Sequence, residues 1–145
     1  MSDIKWNDAE MEATVGFSCK VKVTSEDIED ILTTAFEGGI NYWADDVQVI
    51  GEYKGENEAD HLVHGGELSI HLTEGAIDDS DKEWYDIDRD KFLKGLRMYL
   101  SDPEAPYNIL RYGNEGGLEI EICDVDAAVA DLIVQYALFD EEVFA

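Results

Sequence analysis

Three stretches of this chain open a helix-like run with acids directly after strand-like alternation. They are TSEDIEDIL (24–32), YDIDRDKFL (85–93) and CDVDAAVADLI (123–133). Ser, Thr and Asp are favoured helix caps, and acids in a first turn interact well with the helix dipole. Helices are therefore predicted to begin at Thr24 or Ser25, at Asp88, and at Asp124 or Asp126.

The segments between these helices alternate with period two, as half-buried strands do. Strands are predicted over 14–23, 47–53, 68–72, 84–85 and 118–122, with a short helix over 56–64 and a long loop over 101–117. Strands with one solvated face favour an α+β fold over a doubly wound parallel sheet. We predict one antiparallel or mixed sheet of about four to five strands, with three main helices packed on it. Residues 1–145 are predicted to form a single domain, with 1–12 as a loose arm or an edge strand.

The stretch AFEGGINYW, residues 35–43, raises the question of where two large aromatic rings point. The apolar stripe of the first helix ends at Phe36, so Gly38 is predicted to be its left-handed C-cap. Simple alternation would then separate Tyr42 from Trp43. One ring is predicted to lie in the core, and the other to serve as an interface anchor or a pocket wall.

The net charge restricts the choice of partner. Thirty-five Asp and Glu against ten Lys and Arg give a formal charge of −25. This charge repels nucleic acid and anionic membrane and favours a basic protein surface, although salt adaptation or solubility would explain it equally well. Twenty-five charges match roughly 43 Å of duplex DNA, but they would be sparse if spread over the ~7500 Å² surface of such a chain. DNA mimicry therefore requires acids gathered on one side, or a homodimer that extends a stripe.

Motifs for catalysis or metal binding are weak. His61, His64 and His71 are the only histidines, and their spacing favours surface or capping roles over a metal site. Asp86, Asp88 and Asp90 resemble the start of a calcium loop, but Lys91 and Arg97 stand where that loop needs Gly and Glu. A helix cap is the better interpretation. No nucleotide-binding or nucleophile motif is present, so we predict neither an enzyme nor a cofactor or metal.

Half of the cations lie between Lys82 and Arg97. They are predicted to pair with the acids of 74–90. Alternatively, they hold the phosphates of a nucleotide while an aromatic ring stacks on its base. The residues of that alternative pocket are Asn41, Tyr42, Trp43, Lys94 and Arg97.

The N-terminal residues and the two cysteines predict the cellular setting. MSDIKWNDAE has neither a basic region nor an apolar run, which predicts no secretory signal. No apolar run is long enough to span a membrane. Cys19 and Cys123 are therefore predicted to be free, buried thiols in a cytoplasmic protein.

The segments EGGINYW, LSIHL, DKFLKGLRMYL and DLIVQYALF, in this order, resemble small acidic proteins of phages and prophages whose function is uncharacterised. The resemblance covers about residues 14–145. It implies a phage origin and the cytoplasm of a host bacterium, with no catalytic residues. Phage anti-restriction and anti-CRISPR proteins that mimic DNA are similar in size and charge only.

The leading hypothesis is a non-enzymatic phage inhibitor that occupies the nucleic-acid-binding surface of a basic host defence protein. Two alternatives stay open: a sponge for a nucleotide messenger, and an acidic phage protein with a structural or regulatory role. The predicted partner-binding acids are Asp45, Asp46, Glu52, Glu56, Glu58, Asp60, Asp78, Asp79, Asp81, Glu83 and Asp86.

Overall fold

The computed structural model describes residues 9–14, 18–77, 82–113 and 116–145; of residues 9–14 and 18 only the backbone is described. The strands are β1 (Ala9–Thr14), β2 (Ser18–Val23), β3 (Ala44–Ile50), β4 (Glu67–Leu72), β5 (Trp84–Ile87), β6 (Leu110–Tyr112) and β7 (Leu118–Ile120). The α-helices are α1 (Ser25–Thr34), α2 (Glu58–Val63), α3 (Arg89–Ser101) and α4 (Ala127–Phe139). A π turn (Ala35–Gly39) continues α1, and short 3₁₀ turns span Glu74–Ala76 and Ile122–Asp124.

The strands of the described residues form two sheets. One has four strands in the order β1-β2-β7-β6, and the other has three in the order β3-β4-β5. All pairs are antiparallel except β2 with β7, which run parallel. The predicted α+β class is therefore confirmed, whereas the prediction of one sheet is wrong.

Two strands of the four-stranded sheet carry little sequence signal. Residues 1–12, predicted as a loose arm or an edge strand, contain the start of β1, the backbone of which pairs with β2 at the edge of this sheet from Ala9 to Thr14. The predicted loop over 101–117 contains β6, whose three residues are too few to show alternation. In the four-stranded sheet, β2 pairs with β7, a strand that is distant in sequence, whereas β3, β4 and β5 pair only with one another.

The predicted helix caps are confirmed. The Thr24 side chain accepts from the backbone N–H of Asp27, whose carboxylate accepts from Thr24 N, each at 3.0 Å, which completes a capping box. Asp88 caps α3 by accepting from Lys91 N at 2.9 Å, and Asp90 lies in the first turn of that helix. Asp126, rather than Asp124, caps α4.

Helices α3 and α4 pack closely against each other near Gly95. A Cβ at Gly95 would lie 2.4 Å from the backbone oxygen of Ile133, which is closer than any real contact, so only glycine permits this approach. Helix α4 also contacts the π turn, α1 and β5. It is therefore the central element, and its buried residues include Val129, Ile133 and Val134.

The AFEGGINYW stretch departs from prediction. Gly38 does not adopt a left-handed φ, because the helix continues through it as the π turn. Gly39 is the constrained glycine, since a Cβ there would lie 2.7 Å from Ala127 O. The chain then turns, with Trp43 N and Ala44 N both donating to Ile40 O. Residues three apart consequently share a side, so Ile40 and Trp43 are buried while Asn41 and Tyr42 are exposed, contrary to simple alternation.

Cys123 is a free thiol, as predicted, but it is exposed rather than buried, and Cys19 is half-buried. Among the described residues, no helix has the length and apolar character needed to cross a membrane.

Candidate functional site

The three-stranded sheet has one buried and one exposed side. Its buried side carries Leu68, Ile70 and Leu72 of β4 and Ile87 of β5. Strand register places Asp46, His71 and Trp84 in one row of the opposite side, and Gln48, Ser69 and Asp86 in the next. We call this side the acidic face and define it by Asp45, Asp46, Gln48, Ile50, Glu67, Ser69, His71, Glu83, Trp84 and Asp86.

An irregularity in β3 adds an extra carboxylate to the face. The register shifts between Ala44 and Asp46, so Asp45 is inserted as in a β-bulge. Both aspartates are consequently exposed, although neighbouring residues of a regular strand point to opposite sides. Ala44 remains buried, which keeps the start of the strand fixed to the core.

His71 connects the strands of the acidic face. Its Nδ1 lies 2.6 Å from Asp45 Oδ1, and its Nε2 lies 3.1 Å from Glu83 Oε1. Hydrogen bonds to Asp45 and then Glu83 raise the pKa of His71 above its ordinary value of 6.5. The Trp84 ring lies 4.6 Å from the imidazole, centre to centre, and Trp84 is 38% exposed. An accessible aromatic ring thus lies beside the carboxylate of Glu83.

Cations are distributed unequally between the two sheets. Strands β3, β4 and β5 contain no Lys or Arg. The four-stranded sheet carries Lys20 and Lys22 on β2, and Arg111 on β6 pairs with Glu119 at 3.3 Å. At the edge of the acidic face, Lys91 Nζ donates to Asp86 O at 3.0 Å. On β3, β4 and β5 only His71 can carry a positive charge, and it pairs with Asp45 and Glu83. The acids that their own strands leave without a cation are Asp46, Glu67 and Asp86.

Known proteins give no guide to this site. Comparison with family models, with curated proteins and with solved structures found no match to the chain. Its function has to be argued from its own geometry.

The predicted acids divide between two neighbouring regions. Asp45, Asp46, Glu83 and Asp86 lie on the acidic face. The remaining described acids, Glu52, Glu56, Glu58 and Asp60, lie on the loop after β3 and on α2. Three further predicted acids, Asp78, Asp79 and Asp81, fall outside the described residues.

Two acids of the second region have structural partners. Asp60 accepts from Glu56 N at 3.2 Å and is hydrogen-bonded to Glu29 of α1. That bond, burial and repulsion by Asp60 raise the pKa of Glu29 from 4.5 to about 7. Glu58 accepts from the Tyr53 hydroxyl at 3.2 Å. Glu52 and Glu56 are exposed and remain available to a partner.

His61 holds the loop between β3 and α2. Lys54 N donates to its Nδ1 at 2.9 Å, and its Nε2 lies 3.2 Å from Ile50 O, a pattern that requires the proton on Nε2. Gly66 leaves room for the ring, since a Cβ there would lie 2.2 Å from Nε2. The prediction of a surface or capping role is therefore wrong for His61, which is buried within α2 and binds the backbone of the preceding loop. The described residues contain no group of three side chains that could hold a metal.

The five residues of the alternative nucleotide pocket are not gathered around one cavity. Asn41 and Tyr42 line different cavities. Trp43 is buried, stacked on Phe144 with ring centres 5.3 Å apart. Lys94 Nζ donates to Ala137 O at 3.0 Å and to Asp140, at the C-terminal end of α4, and Arg97 is exposed.

The described contacts of the other cations of 82–97 include two carbonyl groups and an aromatic ring. Arg89 donates to Val63 O at 3.4 Å, Lys91 donates to Asp86 O, and Lys82 lies 4.5 Å from the centre of the Tyr85 ring.

A buried carboxylate that the sequence interpretation missed lies beside the two aromatics. Asp131 Oδ1 accepts from Trp43 Nε1 at 2.7 Å and from Gln135 Nε2 at 2.9 Å, while Oδ2 accepts from the Tyr42 hydroxyl at 2.5 Å. Gln135 Oε1 accepts from the backbone of Val143 and Phe144, each at 2.8 Å, and so holds the C-terminal segment. Asp131 and Gln135, four apart in the otherwise apolar DLIVQYALF, were the available signal.

Proposed function

We propose that this protein is a non-enzymatic, phage-encoded inhibitor that binds a basic, nucleic-acid-binding host protein through its acidic face. The observation that supports this most is an exposed sheet surface whose strands carry acids and no Lys or Arg. In the four-stranded sheet, by contrast, acids and cations are mixed. The proposed mode of action is competition with nucleic acid for the same partner surface.

The spacing of the acidic face suits a partner that normally binds phosphates. Outward side chains of a sheet lie roughly 5 Å apart across strands and roughly 7 Å apart along them. Asp46 and Asp86 lie on the two outer strands and in adjacent rows, which places their backbones roughly 12 Å apart. Lys and Arg side chains of a nucleic-acid-binding groove can reach carboxylates over such distances.

The centre of the face offers more than charge. Arg is enriched in interfaces and packs well on aromatic rings, and Trp84 presents such a ring beside Glu83 and His71. A partner arginine placed over Trp84 would reach the Glu83 carboxylate at the same time. In this proposal Trp84 is the anchor, and the surrounding acids set orientation and association rate.

The proposal is tested by displacement. DNA-binding proteins of a host lysate are loaded on immobilised duplex DNA at low salt, and the purified protein is added as eluent. We expect selective release of one or a few basic proteins at low salt. The affinity of a released protein for the purified inhibitor should fall steeply as salt rises to physiological strength. Trp84→Ala should weaken the release without altering net charge.

Two outcomes would contradict the proposal. In a pull-down from the same lysate on the immobilised protein, a captured partner that stays bound in molar salt and does not bind DNA would exclude DNA mimicry. Equal release by the protein and by a polyglutamate of the same charge would mean that the fold contributes nothing. The latter result favours the structural or regulatory alternative, in which the acidity is incidental.

A further inference from the structure

A cavity of about 530 Å³ opens beside Asp131, away from the acidic face. Its walls come from the π turn, from the start of α4 and from the C-terminal segment. They include Gly38, Gly39, Ala127, Ala128 and Leu132, with Tyr42 at one side. Small-molecule sites in proteins have volumes of roughly 300–1,000 Å³ and mostly apolar walls with a few convergent polar groups. The cavity meets both criteria.

The side chains of Asp and Glu are the charged side chains that line this cavity. Asp131 and Glu142 both line it, and none of its lining residues is Lys, Arg or His. A nucleotide or another anion would meet two carboxylates there and no cation. The chemistry therefore opposes the phosphate ligand that the sequence suggested for Tyr42 and Trp43.

Asp131 retains acceptor capacity toward the cavity. A carboxylate has about four acceptor positions. Oδ1 uses two of them for Trp43 and Gln135, and Oδ2 uses one for the Tyr42 hydroxyl. The residue is only 7% exposed, yet it contributes to the wall of the cavity. One position on Oδ2 is left for a donor that enters from the cavity.

Asp131 has no counter-ion in the part of the chain that the structure describes. Among the described residues, no Lys, Arg or His nitrogen lies within ion-pair distance of its carboxylate. Buried charges in proteins are normally paired, because an unpaired one is costly. Three neutral donors stabilise this carboxylate in part, and a cation in the cavity would complete its environment.

We propose that this cavity binds a small organic cation, an alkylammonium compound with an apolar body. The ammonium group donates to Asp131 Oδ2 and is attracted by Glu142, while the alkyl part lies against the glycine and alanine wall. This site is separate from the acidic face, and the two proposals stand or fall independently.

The chain offers a substitution that fills the cavity without disturbing the fold. Gly38 lines the cavity, has no atom within 4 Å of an added Cβ and does not need a left-handed φ. Gly38→Leu therefore places an alkyl group where the ligand's body would lie, and it leaves the net charge at −25. Gly75→Leu is the matched control, since Gly75 is equally open but does not line the cavity.

The experiment measures binding of n-hexylammonium, with hexanol and hexanoate as probes of equal length, by NMR titration at 150 mM salt. We expect saturable binding of hexylammonium, with amide shifts at Gly38, Ala127 and Ala128. Binding should weaken at least ~10-fold in Gly38→Leu and in Asp131→Asn, and remain unchanged in Gly75→Leu. Hexanol should bind at least ~10-fold more weakly than the amine, and hexanoate not at all.

Two results would overturn the proposal. Equal binding of hexanol and hexylammonium would show a cavity without charge selectivity. Unchanged amine binding in Gly38→Leu would show that the cation only associates with the acidic surface at large. Because Gly38→Leu leaves Asp131 in place, this test holds even if Asp131→Asn fails to fold.

Discussion

The carboxylate of Asp131 and those of the acidic face differ in what surrounds them. Asp131 is buried and accepts hydrogen bonds from three side chains on two elements. Asp46 is exposed, and its hydrogen bond comes from Gln48, two residues away on the same strand. In an acidic chain most carboxylates can be left to solvent, but one at the centre of a network determines local structure. Exposed carboxylates such as Asp46 are suited to binding a partner, whereas a buried and hydrogen-bonded carboxylate such as Asp131 holds the fold.

The sharpest test of this comparison is removal of each carboxylate in turn. Asp131→Ala leaves Trp43 Nε1 without its acceptor and removes one acceptor of the Gln135 amide, which still donates to Phe144 O. We expect it to lower the free energy of unfolding by about 3 kcal/mol. Asp46→Ala should change it by less than about 0.5 kcal/mol. Urea denaturation of both variants measures the difference. Similar losses of unfolding free energy would contradict the distinction between buried and exposed carboxylates.

The glycines before Tyr42 provide a second, smaller contrast on the Asp131 side. Gly39→Ala would force its Cβ to 2.7 Å from Ala127 O, so α4 must move. We expect a loss of about 2 kcal/mol in unfolding free energy, or roughly 4–8 °C in melting temperature. Gly38→Ala meets no atom and should be neutral or stabilising by up to about 1 kcal/mol. Thermal unfolding followed by circular dichroism distinguishes them, and equal losses would contradict the close approach of the π turn to α4.

Glu29 is intermediate between the two kinds of carboxylate. Its pKa is raised to about 7, so between pH 4.5 and 7 the folded chain holds a proton that the unfolded chain releases. Stability from this group is therefore present at low pH and lost as pH rises through 7. Glu29→Gln keeps a donor toward Asp60 but cannot ionise. We expect it to be more stable than the parent by about 1 kcal/mol at pH 8, after allowing for solvent screening, and equal at pH 4.

Urea denaturation at both pH values checks the Glu29 prediction. Glu37→Gln, an exposed acid of the π turn, is the control for a general loss of charge. An equal gain in unfolding free energy in that variant would show that net repulsion, rather than the Glu29–Asp60 pair, sets the pH dependence of stability.

The smallest effect is expected at His71 of the acidic face. Protonated His71 donates to Asp45 and Glu83, so its contribution to stability is present below pH 6.5 and lost as pH rises through its raised pKa. In Asp45→Asn the pKa should move back toward 6.5, because the first of the two hydrogen bonds loses its charge. An NMR titration of the imidazole gives the answer directly. An unchanged pKa would mean that Asp45 does not hold the ring.

Local features of the fold could be predicted from the sequence, and long-range ones could not. Thr24, Asp88 and Asp126 act within four residues of their own position, so their capping roles follow from sequence. The division into two sheets depends on the parallel pairing of Val21 with Leu118, which no local pattern encodes. The short strand β6 was missed because three residues are too few to show alternation.

The site could be predicted only in part. Asp45, Asp46, Glu83 and Asp86 were named from charge alone, but their shared face depends on strand register and on the β3 irregularity. The sequence predicted that one of the two rings lies in the core but not which one, because residues 40–43 form a turn in which residues three apart share a side. The buried ring is that of Trp43. Its partner Asp131 lies 88 positions away, so only the polar pair in an apolar helix could have indicated it.

The central claim is that the acidic face, rather than total charge, binds the partner. It is tested most directly by two variants of equal net charge, measured against the purified partner by calorimetry. One removes four acids of the face, as Asp45→Asn, Asp46→Asn, Glu83→Gln and Asp86→Asn; the other removes four exposed acids elsewhere, as Glu37→Gln, Glu104→Gln, Asp124→Asn and Glu141→Gln. We predict at least ~10-fold weaker binding for the first and less than ~3-fold for the second. Equal weakening in both would contradict the account.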